Sequence, residues 1–194
     1  MLIAFEGLDQ SGKETQAQTL RDALKADGHK ARFLSFPDYG TSIGEEIARA
    51  LQGEREYTPD VMQLLFIANR YERKPDIQRW LEGGLVLLCD RYAASSIAYG
   101  EAQDLNPAWL ADAQRFLPKP QLTIWLDIDP ETAVRRKAAG RDRYERDHAL
   151  LSRVRESYSR QAAAPDWVRI DGEQAKDVVA EEIAMIVRSR LALR

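Results

Sequence analysis

A glycine-rich loop near the amino terminus has residue types and spacing that suit phosphate chemistry. It reads Gly7-Leu8-Asp9-Gln10-Ser11-Gly12-Lys13 and matches the pattern G-x-x-x-x-G-K. Glycines let backbone N–H groups point into such a loop around phosphate oxygens, and a following helix adds the positive end of its dipole. Lys13 would add a mobile charge for the β- and γ-phosphates of a nucleotide. The pattern therefore predicts a phosphate loop, with a plain strand-to-helix turn as the alternative.

The residue after the lysine departs from this pattern. A Ser or Thr that contacts Mg²⁺ normally stands there, whereas this chain has Glu14, followed by Thr15. A carboxylate beside phosphates is repelled unless it faces the metal or turns outward. The loop therefore predicts phosphate binding without indicating how magnesium is held.

Two charged residues, Asp90 and Arg91, follow a continuously apolar run. Parallel sheets bind ligands at the carboxyl ends of their strands. The planar fork of an arginine suits a phosphate group, so Arg91 is a candidate ligand for a second anion. A structural pair between an arginine and an aspartate is the alternative.

Phe66 and Arg70 lie four residues apart in a predicted helix and share one face. An aromatic ring can stack on a base, and an arginine can donate to a base carbonyl. Thymine and uracil carry a carbonyl oxygen where cytosine carries an amino group, so an arginine donor favours the first two. Taken alone, Phe66 is better explained as a core residue.

These residues need a scaffold, and five apolar runs predict its strands: Leu2–Phe5, Ala31–Phe36, Leu85–Cys89, Leu122–Ile128 and Trp167–Ile170. Helical stripes lie between them. One stripe is Ala17, Leu20 and Leu24, with Gly28 as its end, and another is Val179, Ile183, Ile186 and Val187. Alternating strands and helices predict an α/β fold with a parallel sheet and helices on both sides.

Bulk composition narrows the class of protein. The chain has 194 residues, 44% of them hydrophobic, which suits a single domain over 1–194 with a real core. The formal net charge of −3 lacks the basic excess of a nucleic-acid binder. One cysteine, Cys89, allows no intrachain disulfide, and neither a signal peptide nor a membrane span is apparent. We therefore expect a soluble, cytoplasmic protein with no nucleic acid or membrane partner.

Seven segments together resemble the thymidylate kinase family, in that family's order. They are Phe5-Glu6-Gly7-Leu8-Asp9 leading into Gly12-Lys13, Phe36-Pro37, Leu65-Phe66-Ile67-Ala68-Asn69-Arg70, Asp90-Arg91-Tyr92, Ser95-Ser96, Leu117-Pro118-Lys119-Pro120 and Arg143-Tyr144-Glu145. The resemblance implies a three-layer P-loop kinase fold with a five-stranded parallel sheet and a mobile lid. It also implies transfer of the ATP γ-phosphoryl group to dTMP, giving dTDP for dTTP synthesis, with Mg²⁺ as cofactor and a homodimer as the assembly.

The resemblance assigns roles to residues. It implies ATP ligands at Gly7, Leu8, Asp9, Gln10, Ser11, Gly12, Lys13, Glu14, Thr15 and Arg136. It implies an acceptor site made of Phe36, Pro37, Tyr39, Phe66, Arg70, Arg91, Ser95, Ser96, Tyr99 and Tyr144. Within that site Arg91 would bind the 5′-phosphate. Tyr99 would lie beneath the deoxyribose and exclude a 2′-hydroxyl.

Two positions differ from many relatives. Tyr39 stands where some have an arginine that binds phosphate, so it would offer a hydroxyl instead. Gly100 stands where many have a glutamine near the base, which leaves Ser95, Ser96 or a water as the replacement contact.

The charged run at about 135–147 resembles the family's lid, in which arginines neutralise the moving phosphoryl group and exclude water. Gln10 stands where one branch of the family has its catalytic arginine, so the resemblance implies that Arg141 supplies this charge from the lid. Lys13, Arg91, Arg141 and Asp9 are then the catalytic candidates, with Asp9 and Asp90 holding Mg²⁺ through water. The alternatives are a kinase for another nucleoside or nucleotide and a nucleotide-binding switch with negligible transfer activity, which Glu14 would favour.

Overall fold

Five parallel strands form one sheet in the computed structural model, which describes residues 1–136 and 148–192. The strands are β1 (Leu2–Glu6), β2 (Ala31–Ser35), β3 (Val86–Asp90), β4 (Leu122–Asp127) and β5 (Trp167–Asp171). Their order across the sheet is β2-β3-β1-β4-β5. Each predicted strand is confirmed to within one residue at either end.

Helices connect the strands and cover both faces of the sheet. In the described ranges they are α1 (Lys13–Ala26), α2 (Ser42–Leu51), α3 (Pro59–Glu82), α4 (Ala93–Glu101), α5 (Pro107–Ala113), α6 (Pro130–Arg136), α7 (His148–Gln161) and α8 (Lys176–Ala192). None of these helices is both long and apolar enough to cross a bilayer. The predicted end of the first helix is confirmed, since α1 stops at Ala26 and Gly28 adopts a φ of 86°.

Alternate residues of β1 face two separate cores. Ile3 and Phe5 pack in one cluster with Leu24 of α1 and Ile183 of α8. Leu2 lies in a second cluster on the other face. A strand covered on both sides must be apolar throughout, which explains why β1 and β3 were readable as continuous apolar runs.

The sheet order places the predicted functional segments at one edge. Strand β1 lies between β3 and β4, and the backbone N–H of Arg91, just past β3, donates to the carbonyl oxygen of Phe5 at 2.9 Å. The loop after β1 and the turn after β3 are therefore neighbours at the carboxyl ends of the strands, where such sheets bind ligands.

Candidate active site

The glycine-rich loop lies tightly against the end of β4. Gly7 has a φ of +140°, and a Cβ atom at this position would lie 2.4 Å from the carbonyl oxygen of Leu126. Gly12 has a φ of +91° and immediately precedes α1. Glycine is needed at both positions because L side chains rarely adopt these backbone angles. The loop therefore leads directly into the positive end of the α1 dipole, as phosphate binding requires.

Lys13 is buried beneath this loop. Its Nζ donates to the carbonyl oxygen of Leu8 at 2.8 Å. Burial and then the positive charge of Arg91 lower the pKa of Lys13, while the carboxylates of Asp9 and Asp90 raise it. The ammonium group is thus held inside the loop at close range to the other charged groups of the site.

Glu14 turns outward, as one of the two sequence alternatives required. Its side chain is exposed and accepts a hydrogen bond from Nε2 of Gln18 at 2.9 Å, one turn further along α1. Thr15 is exposed as well. The Glu14 side chain therefore occupies the helix surface rather than the loop interior, and any contact of Glu14 with ATP would come from its backbone N–H.

Arg136 at the end of α6 reaches the outer side of the phosphate loop. Its guanidinium donates to the carbonyl oxygen of Gln10 at 3.2 Å and to that of Gly172 at 3.1 Å. This contact agrees with the ATP-side position expected for Arg136. Arg141 and Tyr144 lie outside the described residues.

Arg91 is the point at which the phosphate loop meets a second binding region. It follows β3 with a φ of 60°. One terminal nitrogen donates to Oδ1 of Asp9 at 2.7 Å and to the Tyr99 hydroxyl at 3.1 Å, and the other donates to Ser95 Oγ at 3.1 Å. Burial opposes the charge, but Asp9 raises the pKa of Arg91 well above its usual value. The structural ion pair considered from the sequence is therefore present, and its arginine lines a cavity.

A buried carboxylate holds this arginine's neighbours in place. Glu6 accepts from the Tyr92 backbone N–H at 2.8 Å, from Ser95 Oγ at 2.6 Å and from the Tyr158 hydroxyl at 3.0 Å. Tyr158 in turn accepts from Arg91 at 3.4 Å. Sequence reasoning assigned no role to Glu6 or Tyr158. The position of Glu6 just before the loop was an available signal, whereas nothing in the sequence links α7 to Arg91.

The cavity beside Arg91 encloses about 590 Å³ of empty space, part of it open to solvent. Its wall consists of Asp9, Phe36, Pro37, Tyr39, Leu51, Gln63, Phe66, Arg70, Arg91, Ser95, Ser96 and Tyr99. The fold thus brings together nine of the ten predicted acceptor-site residues, and the tenth, Tyr144, lies in the undescribed range.

Arg70 forms the polar end of this cavity. Its side chain donates to Ser96 Oγ at 2.8 Å and to Oε1 of Gln114 at 3.2 Å. Its Nε lacks a hydrogen-bond partner within the described residues. Burial lowers the pKa of Arg70 to about 10, so the guanidinium remains cationic at neutral pH.

The turn after β2 forms the opposite wall. The Phe36–Pro37 peptide bond is cis. Asn69 of α3 fixes the turn by accepting the backbone N–H of Asp38 at 2.7 Å. Tyr39 also lines the cavity, and its side chain is 51% exposed.

The two serines proposed as base contacts are already engaged. Ser95 donates to Glu6, and Ser96 accepts from Arg70. A side chain at position 100 would have to displace the side chain of Leu110, because a Cβ atom there would lie 2.4 Å from Cδ1 of Leu110. Sequence reasoning missed two cavity residues, Leu51 and Gln63. Gln63 could have been found, since it lies three residues before Phe66 and seven before Arg70, on the same helical face.

Comparisons with known proteins agree with this arrangement. The sequence profile of the family described as Thymidylate kinase matches residues 5–183. Thymidylate kinase from Schizosaccharomyces pombe is 41% identical over 145 residues, covering 75% of this chain and 69% of the relative. Human thymidylate kinase is 34% identical over 188 residues, covering 95% of this chain and 88% of the human protein. A solved thymidylate kinase structure from Candida albicans superposes with a TM-score of 0.87 at 31% identity, covering 97% of this chain and 91% of that one.

Proposed function

This chain belongs to the thymidylate kinase family, and we propose that its phosphate loop binds ATP while the cavity beside Arg91 binds dTMP. The chain is an ATP-dependent nucleoside monophosphate kinase that converts dTMP to dTDP. One observation carries the assignment of the two sites. Arg91 of the cavity and Asp9 of the loop form a salt bridge, with 2.7 Å between Nη2 of Arg91 and Oδ1 of Asp9. Two phosphate groups bound in these places would therefore lie side by side.

The chemistry needs alignment more than proton transfer. The nucleophile is an oxygen of the dTMP phosphate, which is already ionised at neutral pH. It forms a bond to the γ-phosphorus of ATP as the bond from that phosphorus to the β–γ bridging oxygen breaks, and ADP leaves. Lys13 and the loop N–H groups hold the donor, and Arg91 holds the acceptor against mutual repulsion. We assign Asp9 to positioning Arg91, because it already accepts hydrogen bonds from Arg91 and Tyr99.

Asp90 is the better fitted of the two predicted magnesium residues. Its Oδ1 is buried and has no hydrogen-bond partner in the described part of the chain, whereas both oxygens of Asp9 are engaged. Mg²⁺ keeps several waters and is commonly held by one or two carboxylates plus substrate phosphates. We therefore propose that Asp90 orders the magnesium water shell. The ion would supply neutralising charge on the β- and γ-phosphates.

The remaining predicted groups rest on the sequence. We propose Arg141 as the arginine that neutralises the moving phosphoryl group and Tyr144 as a residue closing over dTMP, in a lid at about 135–147. The described contacts of Arg136 with Gln10 and Gly172 support the proposal, since they bring the start of this segment to the phosphate loop.

We also propose a homodimer. Helix α3 presents an apolar stripe of Val61, Leu64, Leu65 and Ala68, spaced as one helical face. Val61 and Leu64 are 36% and 43% exposed. This stripe lies on the side of α3 turned away from Phe66 and Arg70, so a second copy could cover it without blocking the cavity.

A cytoplasmic location, where ATP is plentiful and the buried thiol of Cys89 stays reduced, completes the proposal.

A coupled assay of ADP release tests the function. It would be run with dTMP, with dUMP and with no acceptor. We expect ADP formation that depends on dTMP and metal, and that Lys13→Ala abolishes. A kinase for another monophosphate would respond poorly to dTMP, and a nucleotide-binding switch would release ADP at a rate that no acceptor changes.

A further inference from the structure

The side-chain amide of Gln63 in α3 lines the acceptor cavity and has no hydrogen-bond partner among the residues that the structure describes. Its side chain is 1% exposed, and neither Oε1 nor Nε2 has a hydrogen-bond partner within the described residues. Buried polar side chains are normally paired, because an unpaired group loses its bonds to water without replacement. An amide in a cavity wall with both atoms free is therefore arranged for a ligand that fills the cavity.

Other polar side chains of the site form their hydrogen bonds elsewhere. Ser95 is committed to Glu6 and Ser96 to Arg70. Gln114, the other nearby glutamine, accepts from Arg70 and donates to the carbonyl oxygen of Leu110. Each of these groups already has its partner, so the donor and acceptor of Gln63 remain available.

The backbone fixes where the Gln63 side chain runs. The Gln63 side chain passes close to Gly100 of α4, because a Cβ atom at position 100 would lie 3.3 Å from Cγ of Gln63. The absence of a side chain at Gly100 therefore leaves space for the Gln63 side chain. Gln63, Phe66 and Arg70 also share one face of α3. Phe66 therefore lies between Gln63 and Arg70 along this face of α3, and all three residues line the cavity.

We propose that Gln63 reads the pyrimidine base of the acceptor by pairing its amide with the N3–H group and the adjacent carbonyl oxygen that Arg70 does not contact. This proposal rests on the proposed function and deepens it. Thymine presents a donor at N3 flanked by two carbonyl acceptors. An amide offers one acceptor and one donor, so Oε1 can accept from N3–H while Nε2 donates to the carbonyl.

The same pairing discriminates against cytosine. Cytosine has an acceptor at N3 beside the O2 acceptor, so its edge there would need two donors, and the amide has one. Its 4-amino group would also face the donors of Arg70. A site with buried polar groups rejects an analogue that leaves those groups unpaired.

The experiment compares dTMP with N3-methyl-dTMP on the full-length chain with ATP. Gln63→Met keeps the length of the side chain and removes the amide, and Gln161→Met makes the same change at a half-buried glutamine of α7 outside the cavity. We expect Gln63→Met to lower kcat/KM for dTMP by roughly 10- to 100-fold. The preference for dTMP over N3-methyl-dTMP should narrow by a similar factor, whereas Gln161→Met should leave the preference unchanged.

Thermal unfolding gives a second readout that does not depend on turnover. Without ligand, Gln63→Met should unfold at the same or a higher temperature than the parent, because the unpaired amide is gone. The rise in unfolding temperature caused by dTMP should be smaller in Gln63→Met. An unchanged preference between the two substrates overturns the proposal, as does an undiminished effect of dTMP on unfolding. If the parent chain forms no ADP in response to dTMP, the proposed function itself fails instead.

Discussion

At the scale of single residues, Arg91 is an arginine whose charge and orientation are set by its neighbours. Its guanidinium is compensated by Asp9 and oriented by Ser95 and Tyr99 before any substrate arrives. An arginine held in this way loses little conformational entropy when a phosphate binds, which favours tight alignment of the acceptor.

We therefore expect Arg91→Ala to remove about 2–5 kcal/mol of transition-state stabilisation, because Asp9 and the acceptor phosphate would both lose their charge partner. Steady-state kcat/KM for dTMP measures the loss. Arg155→Ala is the control, since Arg155 pairs with Asp127 and Asp129 away from the cavity. Near-normal turnover of dTMP by the Arg91 variant would contradict the assignment.

Tyr92 carries a buried hydroxyl with no partner in the described ranges. Burial raises the pKa of this phenol, so the hydroxyl stays neutral but unpaired. Tyr92→Phe should raise the free energy of unfolding by about 1 kcal/mol, because the cost of desolvating the hydroxyl disappears. Denaturant unfolding checks this change.

Tyr158→Phe is the matched control for that measurement. The Tyr158 hydroxyl bonds to Glu6 at 3.0 Å, so its loss should destabilise the chain. Equal effects of the two substitutions would show that the unpaired hydroxyl of Tyr92 is not what costs stability.

At the scale of elements, several of the described candidate site residues lie where a regular element ends. The phosphate loop joins β1 to α1, Asp90 ends β3, and Arg136 ends α6. This arrangement made much of the site predictable, because apolar runs identify the strands and the polar residues directly after them are easy to see.

The rest of the site depends on contacts between distant elements. Tyr158 meets Arg91 across 67 residues of sequence, and Tyr92 meets Glu6 across 86. No local periodicity encodes such pairs. Gln63 was missed for another reason. Its helical face was readable from the sequence, but its lack of a hydrogen-bond partner within the described ranges becomes visible only when α3 packs against α4.

Substitutions of Glu14 at the start of α1 and of Asp90 at the end of β3 should have opposite effects on magnesium-dependent activity. Glu14→Ser should leave activity intact or improve it, since the Glu14 side chain bonds outward to Gln18 and a serine would restore the usual ligand. Asp90→Ala should sharply raise the magnesium concentration needed for half-maximal rate. Loss of activity in the Glu14 variant together with a harmless Asp90 variant would show that Glu14 is the metal ligand.

At the scale of the whole molecule, α3 serves two surfaces. One face carries Gln63, Phe66 and Arg70 toward the cavity, and the apolar stripe with Val61 and Leu64 faces outward. A second chain packed on the stripe would restrict the motion of α3 and therefore of the face that carries Gln63, Phe66 and Arg70.

Sedimentation should therefore give the mass of two chains for the parent and of one chain for Leu64→Glu, because a charge in the stripe opposes its burial. Met185→Glu tests an exposed apolar residue of α8 instead, 67% exposed and on a different helix, and should remain dimeric. A parent that sediments as a single chain would rule out the proposed assembly.

The strand order also has a consequence for how the chain is made. Strand β1 leaves the ribosome first, yet its neighbours β3 and β4 begin only at Val86 and Leu122. Such long-range pairings form late and slowly. The phosphate loop packs through Gly7 on Leu126 and so cannot acquire its shape on a shorter nascent chain. We therefore expect ATP to stabilise only chains synthesised beyond β4, whereas shorter chains would leave the apolar strands β1 and β3 without all their partners and open to aggregation.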